Sequence, residues 1–559
     1  MSPLRCSRAA RSLTQPYGPP PHGWPRAPLA ILALLAPLTL VGACSSADTG
    51  GSDSSSSVAS TNPTQPDSAG DDDTSKQESA GAGSTGDPGS AEDDSTTADS
   101  NESPPDDPEP PAGPGVDDIF ESETPLVPGC DLEHPLQLQL RTLDAGAASS
   151  PAQTRDAALG SWVSLTGIGI RVWEFFNYYT FDYPAASQAG AVVITPGLVQ
   201  DGDEYTLQVG IRTHLLPADE RPPVRLTLAL DNSGSMQGKA QDLARVAGEA
   251  IAHGLRKGDT VSIVTWNSTD QVVLDAHPVA GPDDPVLLAK LAALEVGGSA
   301  ELYSGLVGAY KLAESTYDKT AWNHVILVSD GGASVNDADL EVIASHPQIR
   351  LSGVGVGDPG IYRSDLMDAV AHAGRGSSLF ISNEAEASRQ FVDRFIPLLG
   401  DAVRDVVVRV QLPPGFELIR DDDAGAFADD GVSGPNVRIG PGRAFVLHRR
   451  FRSCAADDQD SGAKLTVKVQ YVDEQTGNAK ETWTTANLSQ LLVEDSAALH
   501  KGAAIHAYAH LLTQWQARPA DLADALTDVT ARLDVAQKLL PNDPELAEIS
   551  AVLAVLADE

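Results

Sequence analysis

The stretch "VRLTLALDNSGSM" (224–236) decides how the centre of this 559-residue chain folds. Its first seven residues form a largely apolar run that is typical of a buried strand. Its second half places side-chain oxygens at alternate positions, on Asp231, Ser233 and Ser235. Such oxygens can cap the helix that follows a turn, or they can hold a cation.

The region around this stretch, residues 222–400, alternates apolar strands with helical patterns. This alternation predicts a doubly wound, mostly parallel sheet with helices on both faces. A second apolar strand, "HVILVSD" (324–330), ends in Asp330. Because the carboxyl ends of parallel strands meet at one edge, where ligands bind, we expect Asp231 and Asp330 to lie close together.

These two strands carry a resemblance to a known family. The segment "LALDNSGSM" (228–236) resembles the first metal motif, Asp-x-Ser-x-Ser, of the von Willebrand factor type A (VWA) domain. The segment "HVILVSDGGASVN" (324–336) resembles the strand that ends in the second metal-site aspartate of that domain. The resemblance implies a Rossmann-like α/β domain.

A bacterial subfamily, the YfbK-like lipoproteins, is similar over more of the chain. The similar segments are "RVWEFFNYYTFDYP" (171–184), 207–236, 297–314 and 360–392. Together they extend the resemblance over about residues 160–515, which is most of the part that we expect to fold.

The resemblance implies a metal-ion-dependent adhesion site (MIDAS). Ser233 and Ser235 would be direct ligands of Mg²⁺, or of Mn²⁺ or Ca²⁺, while Asp231 and Asp330 would act mostly through water. Hydroxyl oxygens suit Mg²⁺, which prefers octahedral oxygen ligands and retains several waters. A vacant position on the ion would then accept an Asp or Glu of a partner protein.

One loop departs from the family pattern. The family's second loop reads Gly-Ser-Thr, whereas "GGSAELY" (297–303) has Ala300 at the Thr position, and a methyl group cannot be a ligand. Ser299 or Glu301 could substitute for the missing hydroxyl. The alternative without a metal is that Ser235 caps a helix starting near Gln237 and that Asp231 interacts with the dipole of that helix.

The N-terminus predicts export. Residues 1–44 combine four arginines with the apolar run "APLAILALLAPLTLVGAC" (27–44), which is typical of a secretory signal. The ending resembles a bacterial lipobox with Cys44 as the lipidated residue, whereas ordinary signal cleavage is the alternative. We expect a cell-envelope lipoprotein facing the periplasm or the exterior, and Ser45 is compatible with the outer membrane.

Charge constrains the partners. The formal net charge is −40, and residues 45–125 hold 20 Asp or Glu and a single basic residue. This excess argues against a nucleic-acid partner, since phosphate binding requires clustered Lys and Arg. The same segment is rich in Ser, Gly and Pro, which predicts a disordered linker.

The segments flanking the central domain have different patterns. Residues 126–221 and 401–490 predict the two halves of one β-sandwich, into which the VWA domain (222–400) is inserted. Residues 491–559 predict a helical tail. The aromatic cluster 171–184 could be an exposed binding surface, but packing is favoured because clustered aromatic side chains usually bury.

Two residue pairs are left open. Cys130 and Cys454 could form a disulfide in an exported protein, although spacing alone cannot show that they meet. His506 and His510 have a helical spacing that can bind zinc. The sequence lacks the accompanying Glu of an H-E-x-x-H motif, so an ordinary histidine pair is favoured.

No motif for catalysis stands out: the chain lacks both a phosphate-binding loop and a G-x-S-x-G elbow. We therefore predict a non-catalytic, lipid-anchored protein that mediates protein binding or adhesion, and that binds neither nucleic acid nor nucleotide. Its partner would be an unidentified protein presenting Asp or Glu. The alternatives are a metal-dependent hydrolase or enzyme subunit, and a metal-independent envelope scaffold.

Overall fold

The computed structural model describes residues 130–140, 146–160, 165–419, 437–454, 463–492, 496–517 and 522–558. Cys44, the signal segment and the acidic linker lie outside the described residues. The strands, in chain order, are β1 (Leu136–Leu140), β2 (Val192–Asp201), β3 (Glu204–Thr213), β4 (Val224–Asp231), β5 (Thr260–Trp266), β6 (Asp270–Pro278), β7 (Trp322–Ser329), β8 (Arg350–Val356), β9 (Arg375–Ile381), β10 (Val403–Leu412), β11 (Phe416–Leu418), β12 (Ala444–Ser453), β13 (Lys464–Asp473) and β14 (Ala479–Asn487). The helices are α1 (Ser149–Leu159), α2 (Val172–Tyr178), α3 (Lys239–Gly254), α4 (Pro285–Ala292), α5 (Leu302–Ser315), α6 (Asp337–Ala344), α7 (Ser364–Ala373), α8 (Glu384–Ser388), α9 (Phe395–Leu399), α10 (Leu488–Leu491), α11 (Ala497–Ala517), α12 (Ala523–Leu539) and α13 (Pro544–Ala557).

The central sheet has the strand order β6-β5-β4-β7-β8-β9. All neighbouring pairs are parallel except β5 and β6, which are antiparallel. The inner strands are buried over most of their length, as expected for a sheet covered on both faces. The predicted α/β fold with a mostly parallel sheet is confirmed.

The flanking strands form a β-sandwich of two four-stranded sheets, ordered β1-β10-β13-β14 and β11-β12-β3-β2. Strands from before the α/β part pair with strands from after it: β3 pairs with β12, and β1 with β10, both antiparallel. Alternate side chains of both sheets fill one core that includes Val209, Ile211, Val408 and Val467. The chain therefore leaves the sandwich to build the α/β part and then returns to it.

Residues 126–221 are less uniformly β than we expected, because α1 and α2 lie within them. The aromatic cluster contains α2, and its aromatic side chains are buried except for Trp173, which is partly buried. Phe175 meets Tyr508 edge-on at 5.7 Å between ring centroids, and Phe176 stacks on His448 at 5.2 Å. The cluster thus joins the sandwich and the C-terminal helices.

The last helical segment of the α/β part, residues 384–399, is not one continuous α-helix. A π-helical turn, Arg389–Asp393, separates α8 from α9. Pro397 has no backbone N–H to donate to the carbonyl of Asp393, so a regular α-helix cannot continue through this point.

Two residue pairs from the sequence meet in the structure. Cys130 and Cys454 form a disulfide, with their Cα atoms 6.1 Å apart. The Nε2 atoms of His506 and His510 on α11 lie 3.1 Å apart. Among the described residues, no group of three or more His, Cys, Asp or Glu side chains is arranged to hold a metal ion.

The C-terminal helices α11, α12 and α13 share the large core of the α/β part. Within the described ranges, no helix combines the length and the apolar character that crossing a membrane requires.

Candidate metal centre

The candidate site lies at the edge of the central sheet where the parallel strands end. We call this edge the crest and define it by its loops, residues 232–238, 267–269, 297–301, 330–336 and 357–363. Strands β4 and β7 are neighbours, and their register pairs Leu230 with Val328. This pairing brings the ends of both strands to the same level, so the Ser329 hydroxyl donates to Asp231 Oδ2 at 2.6 Å.

The stretch from Asp231 to Ser235 folds back on itself. Asp231 Oδ1 accepts a hydrogen bond from the Ser233 backbone N–H at 2.9 Å. The Oγ atoms of Ser233 and Ser235 then lie 3.1 Å apart. Two neighbouring ligands of an octahedral Mg²⁺ ion, each about 2.0–2.1 Å from it, are about 2.9 Å apart. The two hydroxyls thus have the spacing of one edge of such an octahedron.

Asp330 is brought to the same place from β7. Its Oδ1 accepts the backbone N–H of Gly332 at 2.9 Å. A Cβ atom on Gly332 would lie 3.0 Å from Asp330 Oδ1 and 3.3 Å from Ser235 Oγ. Both oxygens therefore border the same glycine, and the structure groups Asp330 with the Ser233–Ser235 pair.

The helix-cap interpretation of Ser235 is wrong. Helix α3 begins at Lys239, and its N-cap is Gly238, with φ +91° and no side-chain cap. A non-glycine residue would be strained in this conformation. Because Gly238 occupies the N-cap position, Ser235 does not cap α3. Its hydroxyl lies beside that of Ser233 instead.

The loop 297–301, which corresponds to the Gly-Ser-Thr loop of the family, supplies fewer candidate ligands than the family pattern does. Gly298 O accepts the Gly234 N–H at 3.0 Å, which joins this loop to the first. Ser299 engages Ser268 instead, with 3.1 Å between their hydroxyl oxygens. Ala300 packs half-buried against the core. Glu301 is exposed, so substitution by Ser299 or Glu301 stays a prediction.

Burial shapes the electrostatics of the centre. Asp231 is 4% exposed, and this burial raises the pKa of its carboxyl. Hydrogen bonds from Ser329 and Ser233 oppose that effect, whereas the nearby Asp330 carboxylate adds to it. A cation between the two carboxylates would relieve their repulsion.

Sequence reasoning missed two hydroxyls, Ser329 and Ser268. Ser329 is the polar residue directly before Asp330 in an otherwise apolar strand end. This position could have identified it as a second polar residue at the crest. Ser268 lies in a polar turn, and no local pattern marks it as the partner of Ser299.

A family model described as the von Willebrand factor type A domain matches residues 226–333. Such domains typically mediate protein–protein interaction or adhesion and are generally non-catalytic. The matched range includes Asp231, Ser233, Ser235 and Asp330.

Two curated relatives are uncharacterized proteins. The sll0103 protein of Synechocystis sp. is 24% identical over 217 residues, covering 38% of this chain and 50% of the relative. The YfbK protein of Escherichia coli is 25% identical over 264 residues, covering 44% of this chain and 45% of the relative. The chain thus matches about half the length of each relative.

Among solved structures, a von Willebrand factor type A protein from Catenulispora acidiphila is similar. It is 17% identical with a TM-score of 0.41, and the match covers 66% of this chain and 91% of that one.

Proposed function

Because residues 226–333 form a von Willebrand factor type A domain, we propose that the protein is a non-catalytic binding protein of the bacterial cell envelope. Its crest binds another protein through a divalent cation. The observation that carries this proposal is the 3.1 Å spacing of the Ser233 and Ser235 hydroxyls beside two carboxylates.

The donor set fits a hard cation that retains water. Ser233 and Ser235 would hold the ion directly, and Asp231 and Asp330 would hold it through water. Asp231 is suited to this indirect role, because its two oxygens already accept hydrogen bonds from Ser233 N–H and the Ser329 hydroxyl. Mg²⁺ tolerates such a site because it keeps several of its waters.

The cation would supply an electrophilic position for an acidic side chain of the partner. Neutral hydroxyl ligands leave the charge of the ion largely uncompensated, so a carboxylate of the partner is attracted to it. Ser235 is exposed and Ser233 is 2% exposed, so the centre opens to solvent on one side. A protein ligand that presents Asp or Glu therefore matches the chemistry of the crest.

The N-terminal segment would anchor this binding unit. Lipidation at Cys44 would hold the chain on a membrane, since several acyl chains bind far more firmly than one. The acidic segment 45–125 would extend by self-repulsion and keep the crest away from the membrane surface.

Calorimetric titration of Mg²⁺ and Mn²⁺ into the full chain tests the metal centre, with Asp231→Ala and Ala300→Thr as variants. We expect saturable binding that Asp231→Ala removes. Ala300→Thr restores the hydroxyl of the family pattern, so we expect tighter binding, because Mg²⁺ gains an oxygen ligand.

Two outcomes would contradict the proposal. Binding that is equal in the wild-type and Asp231→Ala chains would place the cation elsewhere. Absence of binding in the wild-type chain, with binding in Ala300→Thr, would mean that the native crest works without a metal. The metal-independent scaffold would then replace our proposal.

A further inference from the structure

A large apolar side chain stands exposed on the crest. Ile361, in the loop between β8 and α7, is 77% exposed, the highest value among the exposed large hydrophobic residues that the structure describes. Single exposed apolar residues are common. This one differs because its loop is held rigidly and borders the candidate metal centre.

The Ile361 loop is fixed by its own backbone. Asp358 Oδ1 accepts the Gly360 N–H at 2.9 Å. The Asp358 carbonyl accepts the N–H groups of Ile361 and Tyr362 at 3.1 and 3.0 Å. Tyr362 is 3% exposed and packs against Phe380, with ring centroids 4.9 Å apart. The buried Tyr362 side chain therefore anchors the loop in the core, while the neighbouring Ile361 side chain is exposed to solvent.

A residue from outside the α/β part completes this support. Gln153 on α1 is 1% exposed, and its Nε2 donates to the carbonyls of Pro359 at 2.5 Å and Tyr362 at 3.3 Å. One turn later on α1, Asp156 pairs with Lys239 at the start of α3, at 3.4 Å. Helix α1 therefore supports one crest loop and contacts the first residue of α3.

The loop 357–363, which carries Ile361, contacts the loop 330–336, which begins with Asp330. A Cβ atom on Gly331, which follows Asp330, would lie 3.1 Å from the Arg363 backbone N. Ile361 is two residues before Arg363, so its loop lies beside the loop that follows Asp330.

We propose that Ile361 is an apolar anchor for the partner and that Gln153 is the residue that positions it. The proposal rests on the proposed function and names the partner further. The partner carries its Asp or Glu on a short segment that also bears an apolar side chain, which packs on Ile361. A pre-ordered loop loses little entropy on binding, so the buried apolar contact adds to affinity with little offset.

A library of random 12-residue peptides, displayed and selected on the full chain in Mg²⁺, supplies the probe. We expect the enriched peptides to combine an acidic residue with a nearby apolar residue. Their Kd for Ile361→Ser is expected to be about tenfold weaker or more, the loss that follows from no longer burying an isoleucine side chain. Val535→Ser, which changes a 38%-exposed valine on α12, is the matched control and leaves the Kd unchanged.

The outcomes separate the two proposals. Acidic peptides that bind wild type and Ile361→Ser equally would overturn the anchor and leave the proposed function standing. A selection that enriches no acidic peptide on wild type relative to Asp231→Ala would overturn both.

The positioning role of Gln153 has its own readout. We expect Gln153→Ala to weaken peptide binding in the wild-type chain but not in the Ile361→Ser chain, because the two residues act through one contact. Equal weakening in both chains would mean that Gln153 only maintains the fold, and it would overturn the positioning role.

Discussion

Replacing His448 with phenylalanine is expected to remove part of the acid sensitivity of folding. His448 is 5% exposed on β12, where its Nδ1–H donates to Gln208 Oε1 at 3.1 Å. Its ring stacks on Phe176 at 5.2 Å and lies 4.7 Å from the ring of His506. Phenylalanine keeps the ring stacking and removes the titrating group.

The direction of the effect follows from the pKa of His448. Burial, with smaller effects from Arg449 and Arg450, lowers the pKa of His448 from 6.5 to about 3. Between these values the unfolded chain binds a proton that the folded chain does not, so stability falls as the pH falls. The slope approaches about 1.4 kcal/mol per pH unit well below pH 6.5, and from pH 6.5 to 4.5 His448 alone removes about 2.3 kcal/mol.

The assay is urea denaturation of the full chain at several pH values between 7 and 4.5. His448→Phe leaves Gln208 Oε1 without its donor, which lowers the free energy of unfolding by a similar amount at every pH. The prediction concerns the slope: between pH 6.5 and 4.5 the wild type loses about 2.3 kcal/mol more than the variant. His372→Gln, at an exposed histidine on α7, is the control. Equal slopes in wild type and His448→Phe would mean that His448 does not cause the acid sensitivity.

Two further predictions concern stability, both measured by urea denaturation. Replacing both Cys130 and Cys454, which are 324 residues apart, with serine is expected to lower the free energy of unfolding by about 2–5 kcal/mol. The reason is that the disulfide restricts the unfolded chain. A variant as stable as the oxidised wild type would contradict this prediction. Glu386→Gln is expected to cost about 3 kcal/mol, because it removes a carboxylate 3.0 Å from the buried Arg155 guanidinium. Arg363→Ala breaks an exposed ion pair and serves as its control, so equal losses in the two variants would contradict a special cost of the buried pair.

The local patterns of the chain predicted the central fold well. Short apolar strands such as "HVILVSD" (324–330) must be buried on both faces, which requires helices on both sides of a parallel sheet. Asp231 and Asp330 stand at the carboxyl ends of two such strands. The sequence therefore predicts that both carboxylates lie on one edge of the sheet.

Long-range contacts could not be predicted in the same way. Gln153 meets the Pro359 carbonyl across 206 positions of sequence, and Arg155 meets Glu386 across 231. No period or spacing links such residues, because their contact depends on how α1 packs on the finished sheet. The residues that pack on α2, such as Tyr508 and His448, could not be predicted for the same reason. The aromatic composition of α2 predicts that it is buried but does not identify the residues that cover it.

A crystal of the full chain soaked in Mn²⁺, with an anomalous difference map calculated at the crest, tests most directly whether the crest binds a metal. We expect a peak at about 2.1 Å from the Oγ atoms of both Ser233 and Ser235, the distance typical of a hard octahedral cation. We also expect this peak to be lost in Asp231→Ala crystals. A wild-type map with no peak between these two hydroxyls would contradict the central claim that the crest holds a metal.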